Sequence, residues 1–331
     1  MRRSRDFYNN ANSNTRQSIE YWPRQLENWY RKIFGKSFLY NEYGSLKSEV
    51  HMFWEDIKLN LFPYYRDKKF ISISGDDETI KKKVCYALDA ESYNPSDALW
   101  NFIEKNCLVF NLLAYGKGYF EIVYNENDDF IFESINPEGI FELTQNHIYQ
   151  YIPKLLRKEK NLPVFKRLNT RNIFCIKLSP AIKKKLKGVL RELATLSSNL
   201  IMPKFAHNDL MNNGKFANFD RSWYHDQGYL RLAKITKDTG WSCRYMLERY
   251  TSEYYTLDRR LIFNQFLIEF RNCIIGDLNN GFKKVNLKDC SCPELQIITD
   301  ATMTEKSVLE VEKLLKSGSV SFHEIFLMSR S

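Results

Sequence analysis

The chain has 331 residues and a mass of 39.4 kDa, enough for one large domain or two modest ones with a real core, which excludes a minimal disulfide scaffold. Apolar residues at 44%, with 20 Tyr and 23 Phe, exclude a disordered chain, and no apolar run approaches the ~20 residues that cross a bilayer, so no membrane partner is expected. The formal charge of +9 is concentrated: residues 154–191 carry thirteen Lys or Arg against the single acid Glu159, and the rest of the chain sums to about −3.

The basic N-terminus passes into Asn and Ser at 9–14 without the apolar core of a secretory signal, so residues 1–15 read as a disordered tail on a protein that stays in a cytoplasm. Residues 19–34, with Trp22 and Trp29, read as a docked amphipathic helix, and 44–61 repeat the helical period through Leu46, Val50, Phe53, Ile57 and Leu61. A short strand is expected at 70–74. The acids Asp76, Asp77 and Glu78 then start a helix that runs to about Leu88, where they meet the positive end of its dipole. Asn94 as cap and Pro95 at the first helical position open a helix of about twenty residues, closed by Gly116. Strands at 119–124, 130–135, 140–143 and 148–152 are expected to form a small antiparallel meander, followed by a strand at 173–178 and a helix at 180–199. The longest helical pattern covers 241–278, some 35–40 residues, with Asn279-Asn280-Gly281 as its stop. Edge strands at 285–287 and 295–299 and helices at 305–315 and 322–328 complete the chain.

The fold class is therefore α+β: an antiparallel meander packed on helices, plus one long helix. The regions are a tail at 1–15, a helical part at 16–92, an α+β part at 93–178, a helical part at 179–282 and a small strand-and-helix end at 283–331.

The seven cysteines are an odd, scattered set, as expected of reduced thiols, and only Cys290-x-Cys292 is closely spaced, without a second ligand pair for zinc. His207-Asn208-Asp209-Leu210 has the letters of a choline-kinase-like catalytic loop. The family's Asn five positions on is replaced by Gly214, and Asp220 follows too soon to be its metal-binding Asp. No Walker-type loop, Gly-x-Ser-x-Gly or His-Glu-x-x-His occurs, and Glu121-Ile122-Val123 lacks the Lys of a metal-dependent nuclease strand. No catalytic residue, metal ligand or cofactor site is nominated, and the chain is not expected to be an enzyme. The basic stripe attracts phosphate backbones: Lys183, Lys184, Lys185, Lys187 and Arg191 are the nominated nucleic-acid contacts, with Phe165 and Phe174 as neighbouring stacking rings.

Residues 98–153 resemble the wing region of tailed-bacteriophage portal proteins. The shared order is an apolar helix ending in Tyr115-Gly116-Lys117-Gly118-Tyr119, the strand Phe120-Glu121-Ile122-Val123, a polar turn, and a strand closing on Ile135-Asn136-Pro137 before Gly139-Ile140-Phe141. Gly116 and Gly118 are the turn residues of that step. Lys316-Ser317-Gly318 followed by Ser321-Phe322-His323-Glu324 is similar to the portal phrase in which one helix ends at Gly and a Ser-x-x-Glu helix begins. The resemblance, to a reduced member of the family, implies a ring subunit, usually one of twelve, at a capsid vertex of a virion assembled in the host cytoplasm. Its implied partners are copies of itself, double-stranded DNA in passage, the terminase motor, and capsid and tail adaptor proteins. The alternative expectation is a non-ring nucleic-acid-binding protein that uses residues 154–191.

Overall fold

A computed structural model describes residues 16–21, 25–40, 45–62, 69–74, 77–124, 129–144, 147–200, 230–242, 252–285, 293–298 and 303–329. In chain order the elements are α1 (Asn28–Phe34), α2 (Ser48–Leu61), β1 (Ile71–Ile73), α3 (Glu78–Leu88), α4 (Pro95–Lys105), α5 (Leu108–Tyr115), β2 (Lys117–Tyr124), β3 (Phe130–Ile135), β4 (Ile140–Thr144) and β5 (His147–Tyr151). They continue with α6 (Lys154–Lys160), β6 (Phe165–Leu168), β7 (Ile173–Lys177), α7 (Pro180–Leu186), α8 (Val189–Leu200), α9 (Glu253–Lys284), β8 (Leu295–Ile297), α10 (Glu305–Ser317) and α11 (Phe322–Met328). The fold is α+β, with small antiparallel sheets and one long helix. The chain divides into two compact units, the first from residues 1–36, 62–179 and 270–302, the second from 37–61, 180–269 and 303–331.

The first unit is built in layers. Strand β2 is central, pairing with β3 from Tyr119↔Ile135 to Tyr124↔Phe130 and with β7 from Lys117↔Lys177 to Glu121↔Ile173. Period-2 alternation sends Phe120 and Ile122 to one face and Tyr119, Glu121 and Val123 to the other. Phe120 meets Phe102 of α4 at 4.9 Å between ring centroids and Phe174 at 5.3 Å, and Phe132 meets Phe282 of α9 at 5.0 Å, so helices cover that face. On the other face Tyr119, Ile135 and Ile173 pack with Ile148 and Leu168 of a second three-stranded sheet, ordered β4-β5-β6. Tyr30 of α1 stacks on Tyr151, 4.3 Å between centroids, and closes the far side. The stack therefore runs helices, first sheet, second sheet, α1. A separate pair, β1 with β8, is joined to the start of α4 because Ser96 Oγ accepts from the Phe70 and Ile71 amides at 3.0 and 3.1 Å.

The second unit is helical. Leu257, Leu261 and Ile268 of α9 form one core with Val308, Val311 and Leu315 of α10 and Ile325 of α11. Residues 230–242 are pinned by the buried Arg259, whose guanidinium donates to the Ala233 carbonyl (3.1 Å), to Thr236 Oγ1 (2.7 Å) and to the Trp241 carbonyl. The Trp241 indole meets Phe53 of α2 edge-on and donates to Asp56 Oδ2 at 2.9 Å.

Several sequence expectations change. The long helix does not begin at Trp241, which lies outside helix, and residues 243–251 are outside the described residues. It spans 32 residues, about 48 Å, and runs through Asn279-Asn280-Gly281 instead of stopping there. Asn279 uses its side-chain amide as a strand partner for Leu295, donating at 3.1 Å and accepting at 2.8 Å. Gly281 serves close approach: a Cβ there would stand 2.9–3.1 Å from the Phe174 ring. The twenty-residue helix at the start of the α+β region is broken in two by Cys107, which turns left-handed at φ 47°. The meander divides into two sheets at the Asn136–Gly139 turn, with β7 taking the free edge of the first. Residues 16–21 are irregular, with a bend at Ser18, rather than helical, and the 180–199 helix breaks at Gly188, φ 81°. Val285 follows the end of α9 and is not a strand; residues 286–292 lie outside the described residues, as does the 1–15 tail. The terminal helices form at Glu305–Ser317 and Phe322–Met328, each opened by a capping box, at Thr304 and at Ser321.

Two glycines of α9 test this packing. A methyl group added at Gly276 would meet nothing within 4 Å, whereas Gly281 faces Phe174. Gly276→Ala is expected to raise stability by up to about 1 kcal/mol through helix propensity. Gly281→Ala is expected to lower it by about 1–2 kcal/mol, overpacking outweighing propensity. Denaturant unfolding of the two variants reads the difference in sign.

Candidate nucleic-acid contacts and the helix-to-strand turn

The chain leaves α5 through Gly116, whose left-handed conformation (φ 71°, ψ 5°) lets its amide close the helix on the Leu112 carbonyl at 2.8 Å. Its own carbonyl accepts from the Leu178 amide at 3.2 Å, so the turn joins α5 to the end of β7 as well as to β2. Gly118 is the second residue of β2, opposite Ile176, and a Cβ there would lie 3.0 Å from Leu108 Cδ1. Between them Lys117 pairs with Glu142 of β4, tying the two sheets at one edge. The two nominated turn glycines thus place the hairpin against α5.

The basic residues divide between the two units. Eight of the thirteen lie before Pro180 in the first unit and five from Lys183 on in the second. Of the nominated contacts, Lys183, Lys184 and Lys187 are exposed on and just after α7, which the buried Ile182 anchors. Lys185 is half-buried and pairs with Glu269, its Nζ 2.8 and 2.9 Å from the two carboxyl oxygens. Arg191 is exposed and lies 5.8 Å from the Phe38 ring centroid. Phe165 is 49% exposed, but Phe174 is buried between Phe120 and Phe132, where it cannot stack on a base. In the first unit Glu27 occupies Arg157 at 3.3 Å and accepts from the Lys154 amide at 2.8 Å.

One feature of this unit escapes the sequence pattern. Glu121, which the pattern presents only as a nuclease acid without its Lys, is fully buried and accepts from the Gln17 and Ser18 amides at 2.5 and 2.8 Å. The buried Gln150 exchanges two hydrogen bonds with the Ile19 backbone at 2.7 and 2.8 Å. Residues 16–21 are thereby strapped to both sheets. The available signal is an acid inside an otherwise apolar strand, which must find donors when buried.

Burial raises the Cys85 thiol to about 11 and the Cys175 thiol to about 12, so both stay protonated at neutral pH, while Cys107 is exposed. Burial also raises the Glu138 carboxyl, against the lowering influence of Arg31, Tyr115 and Lys36. Among the described residues no group of three His, Cys, Asp or Glu could hold a metal ion. Cys243, Cys290, Cys292, His207, Asp209 and Asp220 lie outside the described residues. No described helix is long and apolar enough to cross a membrane.

No protein-family model matches the chain, and no curated protein matches it.

Gly116→Ala is expected to cost about 1–2 kcal/mol, the penalty of a left-handed alanine, and Gly118→Ala less, because only the tip of Leu108 must move. Thermal unfolding of both variants measures the order. Replacing Lys183, Lys184 and Lys187 together by Ala is expected to flatten the dependence of log affinity on log salt for duplex DNA by about 2–3, with Lys185→Ala changing it little because Glu269 already holds that charge. Binding titrations between low and physiological salt check it.

Proposed function

We propose that the chain is a portal-like ring subunit at a viral capsid vertex, where it forms the channel for DNA packaging and ejection and docks the packaging motor and tail. The observation that carries the reading is the order of parts around Gly116. The apolar helix α5 ends at a left-handed glycine, the β2-β3 hairpin follows at once, and the Asn136-Pro137-Glu138-Gly139 turn carries the chain into a second sheet. This is the succession on which the resemblance to portal wings rests. The Ser321–Glu324 capping box, opening α11 after Gly318, adds the second shared phrase. In this reading the partners are identical copies, duplex DNA in passage, a terminase motor, and capsid and tail adaptor proteins in a virion. A subunit of a ring has neighbours to cover apolar surface that it leaves open.

A second reading, a non-ring nucleic-acid-binding protein, is favoured by the exposed Lys183, Lys184 and Lys187 and weakened by the burial of Phe174. Size separates the two. Sedimentation of the purified protein is expected to give a closed particle of about half a megadalton, twelve copies at the family's usual number. A species that remains at 39.4 kDa at every concentration and salt would overturn the ring.

A further inference from the structure

The first unit carries two unlike outer surfaces. One is the far face of the second sheet with α1 laid across part of it. Trp29 (54% exposed) and Ile33 (67% exposed) are four residues apart on the same side of that helix. Trp29 contacts the Tyr151 ring at 6.2 Å, Phe34 contacts Phe141 at 5.4 Å, and Phe165 contacts both Phe141 and Tyr151 at 5.6 Å, so the exposed rings are one contiguous patch. Next to it α6, whose Leu156 packs with Tyr30 and Tyr151, carries the exposed bases Lys154 and Lys158 beside the single acid Glu159, and β6 carries the exposed Arg167, paired in register with Tyr149.

The other surface is the turn between α3 and α4. Tyr93 is 87% exposed there, flanked by the exposed acids Glu91 and Asp97. The turn is held firmly: Ser92 Oγ and Asn101 Nδ2 donate to Asp89 Oδ2 at 2.6 and 2.8 Å, and Asn94 caps α4 by accepting from the Ser96 amide at 3.0 Å. An aromatic ring is thus presented to solvent on a fixed backbone between two acids.

We propose that these surfaces are the two halves of a head-to-tail contact, the Tyr93 turn of one copy seating on the basic aromatic face of the next. This rests on the ring reading and deepens it by naming the surfaces that meet. Charge complementarity selects the occupant: the face is apolar at its centre and basic at its rim, and the turn is aromatic at its tip and acidic at its flanks. The layering excludes closure within one copy. The Tyr93 turn belongs to the helix layer on one side of the first sheet, the aromatic face lies beyond the second, and packed sheets alone are about 10 Å apart. Two different surfaces that satisfy each other only between copies make a heterologous contact, which closes into a ring when its rotation allows. Ile33 also favours a protein over a nucleic acid here, because an aliphatic side chain offers bases nothing to stack on.

The test is sedimentation velocity of the full chain at low salt. A turn variant carries Glu91→Lys with Asp97→Lys, and a face variant carries Lys158→Glu with Arg167→Glu. Each alone is expected to weaken self-association by about tenfold or more, and an equimolar mixture of the two to restore it, since each reversed surface then meets its reversed partner. Tyr93→Ser, at a position too exposed to affect folding, is expected to weaken association by about tenfold on its own. Wild-type assembly that none of these variants changes overturns this contact and leaves the ring standing. A wild type that never assembles overturns the ring and the contact together. Unchanged assembly combined with loss of binding to a single-stranded oligonucleotide in the face variant assigns the aromatic face to nucleic acid instead.

Discussion

Strand β2 is buried on both faces, and most of the first unit follows from covering it. Six consecutive residues, from Gly118 to Val123, are removed from solvent, so the strand needs a helical layer on its Phe120 side and a second sheet on its Tyr119 side. Glu121 makes the demand stricter. A polar atom left unsatisfied at such a depth costs about 1–3 kcal/mol, and no neighbouring strand can supply donors to a side chain between sheets. The Gln17 and Ser18 amides supply them, which explains why residues 16–21 stay outside helix instead of joining α1. Gln150 then repeats the device one sheet further out, on the Ile19 backbone.

What is legible in the sequence is local chemistry. Asn94 and Ser321 cap the helices they precede, the acids at Asp77 and Glu78 open a third, and alternation in 119–124 and 130–135 marks a hairpin that forms in register. What is not legible depends on tertiary partners. Asn279-Asn280-Gly281 looks like a helix stop, yet Asn279 is occupied by Leu295 and Gly281 by the face of Phe174, contacts about 16 and 107 positions away in the chain. Cys107 sits in an unbroken apolar period, and nothing in that period announces a left-handed residue. The meander reads as one sheet because all its strands alternate. The division into two is decided by β6 and β7, which arrive later and take different edges.

The candidate contacts show the same boundary. Counting charge locates the basic residues, but charge is a property of sequence and availability is a property of structure. Lys185 is taken by Glu269 and Arg157 by Glu27, whereas Lys183, Lys184 and Lys187 remain outside. Phe165 and Phe174 are both aromatic neighbours of the basic run, and their strands turn one outward onto the second sheet's free face and the other inward onto Phe120.

Stacking two sheets behind a helical layer has a further consequence for assembly. Each added layer buries the face beneath it and creates a new outer face, and the stack ends only when that last face is polar or is covered by something else. On the helical side it ends well, since α3 and α4 turn charged residues outward. On the opposite side the seven-residue α1 leaves the rings of Trp29, Phe34 and Phe165 partly bare. A longer covering helix would have removed that face from solvent within one chain. The short one leaves it open to a neighbour, and the excess of bases at its rim opposes face-to-face pairing of two such patches, which would bring like charges together. In the proposed head-to-tail contact the partner surface carries acids, and the Tyr93 turn, flanked by Glu91 and Asp97, is a surface of that kind on the same unit.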